Sequence, residues 1–192
     1  EAEEVSLIAR ADALHAANQP KELFEMLDGT DTGDMEIAWR VCRAHHDLAE
    51  EILDDPARRE QLLRDGLKLA EATLETHRES GLVLKWYAIL LGRLGDFLPT
   101  KEKVANSYKI KQSLDAAAPK LPGDSSVQTA LGQWCFKVAG ISWVERQAAS
   151  LLFGSPPVSS YEEALGYFER SHAIRPSKKA SLLAGQALQK LG

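Results

Sequence analysis

Four residues with metal-binding side chains lie close together in the sequence, from Cys42 through His45 and His46 to Glu50. Cys42, His46 and Glu50 are spaced i, i+4, i+8, so a helix would present them on one face. Thiolate, imidazole and carboxylate groups are all zinc ligands. One helix rarely closes a tetrahedral site alone, however, and Cys42 falls where a core residue is expected. We therefore predict structural roles for this cluster, and neither a metal nor another cofactor.

The sequence contains no motif of a known enzyme class. It has no Gly-x-Ser-x-Gly elbow, glycine-rich phosphate loop, His-Glu-x-x-His or Cys-x-x-Cys. Adjacent acid pairs such as Glu50-Glu51 and Glu162-Glu163 point apart on a helix, which is typical of solvated faces. We predict a non-enzymatic binding protein with no catalytic residue.

Binding chemistry is better represented, by four lysines within 11 residues of one predicted helix. Lys101 and Lys109 lie on roughly one side of it, whereas Lys103 and Lys111 form a second stripe about 200° around it. Ammonium groups attract acidic protein segments and anionic lipid headgroups. The candidates for holding such an anion are Lys101, Lys103, Lys109, Lys111 and, from a later segment, Arg146.

Charge is distributed unevenly along the 192 residues. The net charge is −5, but residues 1–80 carry 20 acidic and 9 basic residues, whereas residues 81–192 carry 8 and 14. A basic half favours an anionic partner, although a chance imbalance on solvated faces explains it equally well. A pI near 5.6 and the lack of interleaved aromatic and basic residues argue against nucleic acid.

Few features of the sequence indicate where in the cell the protein is located. Cys42 and Cys135 lie far apart, which suits free thiols in a reducing compartment and favours a cytosol-facing domain. No apolar run approaches the roughly 18 residues of a membrane span. Because the chain begins at Glu1 without a methionine, we expect a longer parent protein whose anchor would lie outside this sequence.

Apolar residues recur with a spacing near 3.6, which predicts an all-α fold. The capping signals are Asp55-Pro56, Ser125 with Gln128, and Ser160 with Glu163. The predicted helices cover about 3–17, 20–28, 34–53, 56–79, 82–94, 100–118, 125–140, 143–153, 160–174 and 178–190.

One segment carries a repeat signature. Ala164, Phe168 and Ser171 fall at i, i+4, i+7, and Pro176 stops the helix, which is typical of the second helix of a tetratricopeptide (TPR) hairpin. Weaker copies begin 44 and 54 residues apart, whereas a standard TPR repeats every 34 or so. We therefore expect a single TPR-like domain over residues 1–192, in which antiparallel helical hairpins form a short, irregular right-handed superhelix.

The largest excess over the repeat length, residues 140–160, predicts an inserted amphipathic helix. It either packs over one side of the array or walls a ligand cavity. The apolar cavity candidates are Trp86, Tyr87, Tyr108, Trp134, Trp143, Leu151, Leu152 and Phe153.

The last predicted helix has the pattern of a first helix without its partner. Ala184-Gly185-x2-Leu188 occupies the positions that Leu131-Gly132-x2-Cys135 occupies earlier. Apolar residues on this helix favour truncation of the chain after Gly192 or a partner surface, and a solvating cap is the alternative.

Several motifs together resemble the regulator of microtubule dynamics proteins. The resemblance is dense from about residue 82 to 176 and looser before that, and the family's final helices are missing after Pro176. The motifs are Lys85-Trp-Tyr-Ala-Ile89, Ala105-Asn106-x-Tyr108-x-Ile110-Lys111, Gly132-x-Trp134-Cys135, Trp143-x-x-Arg146 and Leu152-Phe-x-x-Pro-Pro157-x-Ser-x-Tyr161-Glu-x-Ala-Leu-Gly-Tyr-Phe168.

This resemblance implies a cytosol-facing TPR-like domain of a microtubule-associated protein. One family member is an outer mitochondrial membrane protein that bridges to the endoplasmic reticulum, and its TPR-like domain is linked to binding and transfer of phospholipid, phosphatidic acid in particular. Two hypotheses follow. The domain is a phospholipid-binding module of an organelle contact, or an adaptor that binds microtubules, tubulin or another acidic segment without lipid.

Overall fold

The protein's structure, a computed structural model, describes residues 6–153 and 156–192, with the backbone alone for residues 144, 145, 148, 152 and 153. Within these ranges the chain forms ten α-helices and no strand, which confirms the all-α prediction. Short 3-10 helices lie at Gly95–Phe97 and Ala118–Lys120. The α-helices are α1 (Leu7–Ala16), α2 (Pro20–Leu27), α3 (Met35–Glu51), α4 (Pro56–Thr76), α5 (Gly81–Leu94), α6 (Thr100–Ala117), α7 (Ser125–Ala139), α8 (Trp143–Phe153), α9 (Tyr161–Ile174) and α10 (Lys178–Leu191).

Capping side chains fix where several helices begin. Asp55 accepts a hydrogen bond from the Arg58 amide, and Ser160 forms the predicted capping box with Glu163. The predicted box at Ser125 is wrong, because Asp124 is the N-cap of α7 and accepts from the Ser126 amide at 2.8 Å. A carboxylate one residue earlier satisfies one of the exposed amide groups at the start of the helix.

Contacts divide the chain into two compact units, Glu1–Phe97 and Leu98–Gly192. The first unit has 21 acidic and 11 basic residues and a net charge of −10, whereas the second has 7 and 12 and a net charge of +5. The difference in charge is thus slightly smaller between the two units than between residues 1–80 and 81–192, which carry −11 and +6. The single TPR-like domain and its superhelix stay predictions.

In the first unit, α3 packs against α1, α2, α4 and α5. α3 and α4 approach closely at Gly66 of α4, where an added Cβ would lie 2.8 Å from the Cβ of His45. The thiol of Cys42 donates to the Gly66 carbonyl at 3.6 Å. A glycine is therefore required for α3 and α4 to pack this closely.

In the second unit, α7 and α9 form an antiparallel pair. Ser171 near the end of α9 donates to the carbonyl of Ser125 at the start of α7. At the opposite ends of the two helices, the rings of Phe136 and Tyr161 lie 5.1 Å apart. Phe168 is fully buried between the two helices, in a core that α10 completes with Ala187.

Gly132 in α7 allows this packing. An added Cβ there would lie 2.5 Å from Cε1 of Phe168 and 3.1 Å from the Ala164 carbonyl oxygen. The predicted Ala164, Phe168 and Ser171 face of α9 is thus the face that contacts α7.

We expect Gly132→Ala to lower the free energy of unfolding by about 2 kcal/mol, because the buried ring and the backbone of α9 must move. Gly185→Ala is the matched control, since nothing lies within 4 Å of a Cβ added at Gly185. It should stabilise the helix by about 0.5–1 kcal/mol through higher helix propensity. Urea unfolding of both variants checks this, and equal effects would contradict the packing at Gly132.

Candidate functional site

The predicted anion-binding lysines lie on α6. Lys101, Lys103 and Lys109 are exposed. Lys111 is half-buried, and its ammonium group donates to both carboxylate oxygens of Asp115 at 2.7 and 2.6 Å. Burial alone would lower the pKa of Lys111, but the hydrogen bond to Asp115 and the charge of that carboxylate, with smaller contributions from Tyr167 and Cys135, together raise it. Lys111 is therefore engaged within its own helix.

Lys101 and Lys109 share an exposed face of α6. Tyr108, 37% exposed, comes between them in sequence and lies about 20° around the helix from Lys101. Lys103 lies on the other side of the helix. We call Lys101, Lys103 and Lys109 the α6 lysines.

Arg146 contacts the backbone of its own unit. Its guanidinium group donates to the carbonyl oxygens of Pro157 at 3.2 Å and Val138 at 3.4 Å. These bonds connect α8 to the end of α7 and to the segment that leads into α9. The structure thus gives Arg146 a structural role, and its role as an anion ligand stays a prediction.

The cavity candidates fall in two different units. Trp86 and Tyr87 belong to α5 in the first unit. Trp86 is buried, its ring lies 5.4 Å from that of His46, and its indole nitrogen is buried without a hydrogen-bond partner in the described part of the chain. Tyr87 is half-buried, and burial raises the pKa of its hydroxyl.

In the second unit, Trp134 is a core residue whose indole donates to the Ser107 carbonyl at 2.8 Å. Trp143 and Leu151 are on the surface, with 73% and 88% of their area exposed. The side chains of Leu152 and Phe153 lie outside the described part. Of all the candidates, the structure brings together Lys111 and Trp134, with the ammonium nitrogen 5.6 Å from the ring centroid. Trp143 and Leu151 are spaced i, i+8 on α8.

The predicted inserted helix is present as α8. We expected its large apolar residues to be covered, but some of them are exposed. Trp143, Gln147 and Leu151 follow one another at i, i+4, i+8 and are all exposed, whereas Ala149 is buried. We call these three residues the α8 stripe.

The residues with metal-binding side chains in α3 have other partners. Burial raises the pKa of the Cys42 thiol to about 12. His45 Nδ1 contacts the Val41 carbonyl at 2.8 Å, and Glu50 accepts from Arg93 at 2.6 Å. Among the residues that the structure describes, no group of three or more His, Cys, Asp or Glu side chains could hold a metal ion. A shallow pocket in the first unit is lined by Met35 and residues 75–80, which the sequence analysis did not select.

The sequence analysis missed a carboxylate cluster that joins α1 to α3. Asp12 accepts from Arg40 at 3.0 and 2.7 Å and from Arg43 at 3.0 Å, and the hydrogen bond from Arg40 lowers the pKa of Asp12. One turn further along, Asp47 accepts from His15 at 2.8 Å and from His46 at 2.9 Å. The signal was complementary spacing, with Asp12 and His15 at i, i+3 on α1 and Arg40, Arg43 and Asp47 at i, i+3, i+7 on α3.

None of the described helices is long and apolar enough to cross a membrane. Residues 7–192 match a family model whose description is Regulator of microtubule dynamics protein 1-3. The chain belongs to this family. This confirms the resemblance that the sequence motifs indicated.

Relatives in this family are similar over most of the chain. Regulator of microtubule dynamics protein 1 of Bos taurus is 36% identical over 194 residues, covering 100% of this chain and 61% of the relative. Protein 1 of Homo sapiens is 37% identical over 80% of the chain and 49% of the relative, and protein 3 of Xenopus laevis is 31% identical over 97% and 42%. The chain spans about three fifths of the bovine relative and less of the other two.

Asp47 makes stability depend on pH. Burial alone would raise the pKa of Asp47, but the hydrogen bonds from His15 and His46 outweigh burial and bring it to about 2, below the ordinary 3.8. A lowered carboxyl pKa stabilises the folded state above about pH 4, and this stability is lost as the pH falls toward 2. We expect Asp47→Asn to cost about 2 kcal/mol at pH 7.

Urea unfolding at pH 7, 4 and 3 checks this prediction. The difference between wild type and Asp47→Asn should shrink below about pH 4. Exposed Asp54 provides the control, because Asp54→Asn makes the same chemical change in a loop. A difference that stays constant with pH would show that the Asp47 charge is not the cause.

Proposed function

We propose that this chain is a non-enzymatic binding domain of a microtubule-associated adaptor, and that the α6 lysines hold an acidic protein segment such as the tail of tubulin. The observation that carries the proposal is the exposure of these lysines in the unit whose net charge is +5. The relatives are named as regulators of microtubule dynamics, which supports microtubules as the source of the acidic segment.

The shape of α6 suits an extended acidic segment. Lys101 and Lys109 are eight residues apart, about 12 Å along the helix axis, so two carboxylates of one extended segment can reach both. Tyr108 between them adds a partly exposed ring. Each such exposed contact is weak in water, so binding should need several together and should fall with salt.

Microtubule co-sedimentation at low and high salt tests the proposal. We expect binding at about 20 mM salt and a loss of several-fold at about 200 mM, where exposed charges are screened. Replacing Lys101, Lys103 and Lys109 together with Gln should weaken binding at least about fivefold at low salt.

The matched control removes three charges from the first unit, by replacing Lys21, Lys68 and Arg78 with Gln. It should leave binding within about twofold of wild type, because these residues lie outside the basic unit. Microtubules whose acidic tails have been removed by proteolysis should bind as weakly as the α6 variant. Undiminished binding to such microtubules would rule out the tails as the ligand.

A second candidate function is favoured by the α8 stripe. We infer that the domain also contacts anionic phospholipid, of the phosphatidic acid type, with Trp143 and Leu151 entering the interface and basic groups of the second unit holding headgroups. Tryptophan is enriched at membrane–water interfaces because its ring is amphipathic. Membrane segments outside this sequence would place the domain at contacts between the endoplasmic reticulum and mitochondria, where it would bind or transfer lipid.

Vesicle flotation tests the lipid candidate, with vesicles of phosphatidylcholine with and without phosphatidic acid. We expect the wild type to float only with the anionic lipid, and the double variant Trp143→Ser, Leu151→Ser to lose most of this binding. Gln147→Ser changes the residue between them in the stripe and should float like wild type. Equal flotation of all three proteins would rule out this candidate. So would a purified protein that carries no phospholipid in its mass spectrum and does not bind vesicles.

A further inference from the structure

The turn between α9 and α10 presents an exposed serine, Ser177. Every residue from His172 to Lys179 is exposed. Arg175 and Ser177 have extended backbones, with φ and ψ of −147° and 105° and of −148° and 147°. The Ser177 hydroxyl accepts a hydrogen bond from the Ala180 amide at 3.1 Å and so caps α10. A polar side chain on an exposed, extended turn is accessible to a modifying enzyme.

The sequence around Ser177 is basic on both sides. Arg175 lies two residues before it, and Lys178 and Lys179 follow it directly. Residues 170–192 carry five lysines and arginines and no acidic residue. The positive charge at this turn is therefore not offset by a carboxylate nearby in the sequence.

The other serines that cap helices in the described part of the chain have different neighbours. Ser6, Ser80 and Ser160 also accept hydrogen bonds from backbone amides at the start of helices. Each of them has an acidic residue within three positions in sequence, whereas the acidic residue nearest Ser177 is Glu169, eight positions away. Kinases select their substrates by such charge patterns. Among these capping serines, Ser177 is the one that suits a kinase with a preference for basic residues.

The start of α10 carries charge of the wrong sign for a helix. Lys178 and Lys179 are its first two residues, and its first turn contains no acidic residue. The amino terminus of a helix carries partial positive charge, so cations there are unfavourable and an anion is favourable. A phosphate on the capping serine would supply that anion.

We propose that Ser177 is a phosphorylation site for a serine/threonine kinase that selects basic substrates, and that its phosphate stabilises the start of α10. In this reaction the hydroxyl oxygen of Ser177 bonds to the γ-phosphorus of ATP, the bond from that phosphorus to the β,γ-bridging oxygen breaks, and ADP leaves. The hydroxyl proton passes to the catalytic aspartate of the kinase. The phosphate carries a charge of about −2, so the net charge of the second unit falls from +5 to about +3.

Phosphorylation in vitro tests the site. The full chain is incubated with Mg-ATP and the catalytic fragment of protein kinase C, which selects serines with basic residues on both sides. Tandem mass spectrometry then identifies the modified residue. We expect phosphate on Ser177, and Ser177→Ala should lower total incorporation at least about fivefold. Ser160→Ala is the matched control, because it makes the same change at a capping serine with acidic neighbours, and it should match wild type.

A second comparison tests whether the basic neighbours direct the kinase. Replacing Arg175 and Lys178 together with Gln should lower kcat/KM for phosphorylation about tenfold, because two charges that the kinase recognises are lost. Lys190→Gln removes an exposed charge at the other end of α10 and should leave kcat/KM unchanged. Equal incorporation into wild type and Ser177→Ala, or phosphate on other residues while Ser177 stays unmodified, would overturn the site.

Hydrogen exchange of the phosphorylated and unmodified chains tests the effect on α10. The amides of Ala180 and Ser181 bond to Ser177 through its hydroxyl and its carbonyl. The phosphate should slow their exchange about two- to fivefold. The Ala164 amide, at the start of α9, is the internal reference and should exchange at the same rate in both chains. Unchanged or faster exchange at Ala180 and Ser181 would overturn the proposed stabilisation.

Discussion

Close contact between helices at a glycine is the constraint on which both units depend. In each unit, a large side chain of one helix occupies the position where a Cβ of the next would be: His45 against Gly66, and Phe168 against Gly132. Because protein interiors are close-packed, such a contact leaves no freedom to slide or rotate one helix on the other. The glycine therefore determines the register of each pair, and with it the direction of every outer face.

The antiparallel pairing of α7 with α9 also explains the exposed α8 stripe. Phe136 and Tyr161 meet where α7 ends and α9 begins, so the intervening chain must leave and return at the same end of the pair. Within this intervening chain, Arg146 donates a hydrogen bond to the Pro157 carbonyl, and Ala149 is buried. None of the described side chains of α8 belongs to the core around Phe168, and those of Trp143 and Leu151 are exposed.

Local sequence was sufficient to predict the ten helices, because apolar periodicity and capping are properties of neighbouring residues. Asp55 and Ser160 cap their helices as predicted. The partners of Asp12 and Asp47 were not predictable in the same way, because carboxylates on α1 and α3 could pair with many bases before the packing is known. Exposure of Trp143 was missed for a related reason, since apolar character indicates burial only where a neighbour has space for the side chain.

The two units use their basic residues differently. Arg40, Arg43 and Arg93 of the first unit are paired with carboxylates of that unit, so its arginines stabilise helix packing. In the second unit the α6 lysines are exposed, and Lys111 pairs with Asp115 of its own helix. Since α6 and α8 contact each other, an acidic protein segment on α6 and an anionic membrane at α8 would draw on the same positive charge. The two proposed ligands would therefore compete for the positive charge of the second unit.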